Sequence, residues 1–82
     1  MSNQDKLIAI IRDVKRSISK NTEISERTQL AEDLGFDSIE MVTMMVAIEE
    51  AFGFSFDDEE LSFETINSFG TLLDIITTKM RN

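Results

Sequence analysis

Apolar residues recur every three or four positions over three separate stretches of this chain. No stretch alternates convincingly with the two-residue period of a strand. That pattern directs the chain toward packed helices. In the first stretch, about residues 3–19, Leu7, Ile11, Val14 and Ile18 form a stripe that Ile8 and Ile10 widen, while Asp13, Lys15 and Arg16 lie off it. Asp5 near its start and the bases near its end complement the helix dipole. The second stretch, about 38–52, carries Met41, Met45, Ile48 and Phe52 on one face, broadened by Val42 and Met44. Ile39, Thr43, Val46 and Glu50 form another face, so more than half of its circumference is apolar. The third, about 69–80, has Phe69, Leu73, Ile76 and Met80 in line, Leu72 and Ile75 beside them, and Ser68 as its cap.

The connections are polar, and the three glycines, Gly35, Gly53 and Gly70, sit at the edges of the periodic stretches. Residues 20–37 lack a sustained period. A loop of about 18 residues is long for a compact domain, and Ile24, Leu30, Leu34 and Phe36 are the residues able to pin it to a core. "QLAEDLG" supplies a helical turn ended by Gly35. In "GFSFDDEELSFETIN", Asp57 or Asp58 caps a further short helix, with Leu61 and Ile66 inward. The expected fold is all-α: a small four-helix bundle, three main helices plus one short helix, forming a single domain over residues 1–82.

Composition removes most enzymatic functions. With no cysteine there is no disulfide, thiolate nucleophile or zinc–sulfur site. With no histidine, the commonest general base is gone, and Ser-His-Asp or Cys-His catalysis cannot be assembled within the chain. There is no signal-peptide pattern, and no apolar run approaches the ~20 residues that span a membrane, so the expected state is a soluble, cytoplasmic monomer. The net charge is −8, and its distribution matters more than its size. Twelve acids and no base lie between Thr28 and Thr78. Such a one-signed field repels nucleic acid and attracts proteins with basic patches.

Within that acidic stretch stands "EDLGFDSIEMV", residues 32–42, with Ser38 at the first turn of the second helix. Asp37 already supplies the helix cap, since its carboxylate can accept from the first free backbone N–H groups. A phosphate on Ser38 would meet the positive end of the helix dipole and unfilled amide donors. The chain has no base to activate this serine, so another enzyme must carry out any chemistry on it.

The stretch "LAEDLGFDSIEMVTMMVAIEEAFG" resembles the central motif of acyl carrier proteins, whose Asp-Ser-Leu signature opens helix II; here Asp37-Ser38-Ile39 stands in its place. The likeness is close over residues 30–60 and extends elsewhere through helix pattern and length. It implies a non-catalytic carrier in fatty-acid or polyketide-type biosynthesis. A phosphopantetheinyl transferase would attach 4′-phosphopantetheine from coenzyme A to Ser38, giving a cysteine-free chain its working thiol. It further implies that Asp37 caps the helix and meets the transferase. Ile39 and Val46 would be apolar partner contacts, and Glu40 and Glu49 recognition acids. Expected partners are acyl-loading, ketosynthase-type and other acyl-processing enzymes with basic patches. Thr43 departs from the pattern, because many fatty-acid carriers have glutamate there, and "DDEELSFETINSFG" is a little longer than usual.

Three other readings compete. An aminoacyl, peptidyl or D-alanyl carrier has the same architecture with a different cargo. A calcium protein of EF-hand type needs a ligand register with glycine sixth and glutamate twelfth, which "EEAFGFSFDDEEL" lacks. An unmodified helical adaptor would use Met41, Met44 and Met45 as a plastic binding face, whereas a carrier buries most of them.

Overall fold

A computed structural model describes residues 2–81. Among them are three long helices, α1 (Asn3–Val14), α3 (Ser38–Phe52) and α5 (Phe69–Met80), and two five-residue helices, α2 (Leu30–Leu34) and α4 (Phe63–Asn67). A 3₁₀ turn, Asp58–Glu60, precedes α4. The all-α class and the three main helices agree with the sequence. There are two short α-helices where the four-helix bundle had one, because the turn expected at "QLAEDLG" is a full α2.

Helix α1 packs against α3 and α5, and α4 packs against α5. One apolar cluster joins Leu7 and Ile11 of α1, Met41, Met44, Met45, Ile48 and Phe52 of α3, and Phe69, Leu72 and Ile76 of α5. The long connection contributes Ile24, Leu30, Leu34 and Phe36, all buried as expected. All three methionines at the centre of α3 are core residues, which removes the plastic binding face that an adaptor needed.

Helix α1 ends five residues before the predicted limit. Arg12 donates to the carbonyls of Ser19 at 3.1 Å and Thr22 at 2.6 Å, folding the following segment back on the helix. Lys15 leaves helical geometry. These tertiary bonds win over continued helix through Ser17 and Ser19, whose side chains compete for backbone groups. Ile18 is half-buried from the turn that results.

The connection from 15 to 29 is seated on α5. The Phe69 N–H donates to the Thr28 carbonyl, and Gln29 and Ser68 form an isolated antiparallel bridge. Gly70 is needed for this seat, since a Cβ there would lie 2.8 Å from the Glu26 carbonyl oxygen. The buried Asn67 accepts from the Ala31 N–H at 2.7 Å and donates to Glu32 at 2.8 Å, tying the end of α4 to the first turn of α2.

Three apolar residues lie elsewhere than predicted. Val42 is 63% exposed, about a quarter turn around α3 from the stripe of Met41, Met45 and Ile48. Leu61 is exposed at the end of the 3₁₀ turn, and of the two residues expected inward only Ile66 is partly buried. Met80 is exposed at the last turn of α5, where Leu72 takes the deep position assigned to Leu73.

Candidate functional site

The site is the joint between α2 and α3. Helix α2 ends at Gly35, whose φ of 72° is left-handed and whose N–H returns to the Ala31 carbonyl. Only glycine adopts that conformation without a Cβ penalty. Phe36 then turns into the core, and Asp37, in extended geometry, starts α3.

Asp37 and Glu40 form a reciprocal capping box. The Glu40 N–H donates to Asp37 Oδ1 at 2.7 Å, and the Asp37 N–H donates to Glu40 Oε1 at 3.0 Å. The Met41 N–H takes the Asp37 carbonyl. Among the described residues the Ser38 and Ile39 amides find no acceptor, leaving unfilled donors at the helix start.

Ser38 lies inside this box, exposed, and among the described residues its hydroxyl makes no hydrogen bond. The other serines at helix starts are committed. Ser2 accepts from Asp5, Ser62 from Thr65 and Ser68 from Thr71, each through the backbone N–H. Asp37 does that work for α3, so Ser38 combines an accessible oxygen with a rigid helical backbone.

The partner residues named from sequence separate into two groups. Ile39 and Val46 are 75% and 49% exposed, and Val42 stands between them, so residues 39, 42 and 46 make one uncovered apolar line down α3 from Ser38. Thr43 on the same side donates its hydroxyl to the Ile39 carbonyl at 2.9 Å. The two acids are used within the chain. Glu40 pairs with Lys15 and completes the capping box. Glu49 accepts from the Phe56 N–H at 2.8 Å, holding the segment after α3. Glu50, one turn beyond Val46, is the exposed acid on this face.

Sequence reasoning missed Val42, Phe63 and Lys15. The spacing of Val42 from Ile39 and Val46 was a usable signal. Phe63, 59% exposed, opens α4 beside the misassigned Leu61. Nothing local marks Lys15, whose partner lies 25 residues away. Among the described residues no group of three or more acids is arranged to hold a metal ion. No helix there is long and apolar enough to cross a membrane.

The family model described as a phosphopantetheine attachment site matches residues 5–73. The acyl carrier protein of Wolinella succinogenes is 33% identical over 76 residues, covering 87% of this chain and 97% of that protein. That of Coprothermobacter proteolyticus is 34% identical over 58 residues, covering 71% and 68%. The mitochondrial acyl carrier protein of Saccharomyces cerevisiae is 32% identical over 82 residues, covering 93% and 64%.

Proposed function

The chain belongs to the phosphopantetheine attachment site family, with acyl carrier proteins as its relatives, and from that premise we propose that Ser38 carries the 4′-phosphopantetheine and that the cargo is an acyl group. The observation that carries this reading is the free, exposed Ser38 hydroxyl, released from capping by Asp37. The residues present fit the group. The unfilled Ser38 and Ile39 amides and the helix dipole favour a phosphodiester anion at this point. When bound, the group supplies the thiol on which an acyl chain is held as a thioester. Ser38 supplies the oxygen of attachment, and Asp37 keeps the helix start in place.

The chain is a substrate for other enzymes and catalyses nothing itself. Its acids steer basic partners in. Ile39, Val42 and Val46 give those partners an apolar line to cover beside the tether. Glu40 and Glu49 contribute to the negative field while serving the fold. An exposed ion pair is worth only ~0.2–1 kcal/mol, so neutral Thr43 adjusts partner choice without abolishing docking. The pathway is fatty-acid or polyketide-type synthesis, working with loading and ketosynthase-type enzymes.

Cargo loading tests this function. The chain bearing its arm is incubated with ATP and either a fatty acid with an acyl-activating ligase or an amino acid with an adenylating enzyme. Intact mass is then recorded. The expected product is an acyl adduct that hydroxylamine removes, absent from Ser38→Ala. Loading of the amino acid in place of the fatty acid would convert the reading to an aminoacyl carrier.

A further inference from the structure

Lys15, the first residue after α1, reaches across to the start of α3. Its ammonium lies 3.2 Å and 3.1 Å from the two carboxylate oxygens of Glu40, and both side chains are 23% exposed. One of those oxygens, Oε1, also accepts the Asp37 N–H. The lysine stem runs past Gly35, where its Cε lies 3.8 Å from the place a Cβ would occupy. Lys15 therefore passes beside Gly35, before Ser38, and bonds Glu40, after it. By contrast, the i,i+3 pair between Arg16 and Asp13 is open to water, with side chains 83% and 72% exposed.

We propose that Lys15 is a positioning residue for the modification of Ser38. Its ion pair with Glu40 fixes the capping box and so the Ser38 backbone, and its charge offsets Asp37 and Glu40 as a further anion arrives. This rests on Ser38 being the attachment point. In the transfer, the Ser38 Oγ forms a bond to the phosphorus of coenzyme A that bears the pantetheine. The bond from that phosphorus to 3′,5′-ADP breaks, the nucleotide leaves with the electron pair, and the serine proton passes to a base of the transferase. Lys15 meets none of the reacting atoms. It acts on where Oγ sits and on the charge beside the new phosphodiester.

Two physical effects of removing Lys15 have opposite signs. Losing a positive charge makes an acidic chain more attractive to a basic enzyme, which lowers KM. Losing the clamp lets the helix start move, which lowers kcat, and small misplacement of a reacting atom is costly.

The test measures initial rates of mass gain with a phosphopantetheinyl transferase and coenzyme A. It compares the unmodified wild-type chain with Lys15→Met, Lys15→Arg and Glu40→Gln. The expected result for Lys15→Met is a kcat lower by about 3- to 10-fold with KM unchanged or lower. Lys15→Arg should keep most of the rate. The Glu40 amide proton should exchange faster in Lys15→Met at unchanged helix content. Combining Lys15→Met with Glu40→Gln should add little to the kcat loss of either, because both remove one contact. Equal kcat for wild type and Lys15→Met overturns the inference while leaving Ser38 as the attachment point. Should Lys15→Met fail to fold, Lys15→Arg and Glu40→Gln read the same contact, and wild-type kcat in Glu40→Gln overturns it. A wild-type chain that gains no mass overturns the Ser38 reading, and this inference with it.

Discussion

At α1, α4 and α5 a serine is itself the cap, whereas at α3 the cap and the accessible serine are separate residues. Asp37 caps, and Ser38 is left free. Replacing Asp37 with alanine should cost ~0.5–2 kcal/mol, the usual loss for an N-cap, read as a lower urea midpoint with unchanged slope. Asp37→Asn should restore most of it. An unchanged midpoint in Asp37→Ala would mean that the capping box contributes nothing. Asp37 was legible as the cap because capping is a local interaction within the first turn of a helix. The Lys15–Glu40 pair was not, because its partners meet only after α1 and α3 pack.

At the scale of elements, α3 and α5 were legible at both ends. Asp37 and Gly53 bracket the first, Ser68 caps the second, and each has apolar positions at helical spacing throughout. Helix α1 was overrun because apolar spacing continues through Ile18, while Arg12 spends its guanidinium on the loop. The region 54–67 was hard to read because its aromatic and acidic residues carry no period. Its anchor is Lys79 of α5, 3.1 Å from Glu60 and 3.4 Å from Asp57. The hydrogen bond to Glu60, reinforced by the charges of Asp57 and Glu60, raises the lysine above its ordinary value of 10.5. A raised folded-state value means that the contribution is fully present below 10.5 and is lost as pH rises through the raised value. The stability difference between wild type and Lys79→Met should therefore be constant near neutrality and narrow in alkali. Urea midpoints measured across that range check this, and a constant difference would contradict it.

Over the whole molecule, the core was largely legible and the charge pattern entirely so. The positions misread, Val42, Leu61 and Met80, are apolar side chains left uncovered. Periodicity marks a residue as apolar without saying whether a neighbouring helix reaches it. With a net charge of −8 and a long stretch of acids without bases, self-repulsion opposes folding at low ionic strength. Added sodium chloride should raise the thermal midpoint, by about 4–8 °C for each kcal/mol of repulsion screened in a domain of this size. Magnesium at equal ionic strength should also raise it. A midpoint that falls with salt would mean that the ion pairs outweigh the repulsion.

The attachment point itself is the most direct test. Trypsin finds no site between Arg27 and Lys79, so a single peptide holds Ser38, Ser55, Ser62 and Ser68. After treatment with a transferase and coenzyme A, fragmentation of that peptide should place one phosphopantetheine on Ser38. A folded chain that remains unmodified, or one whose added mass maps to Ser55, Ser62 or Ser68, would contradict the account.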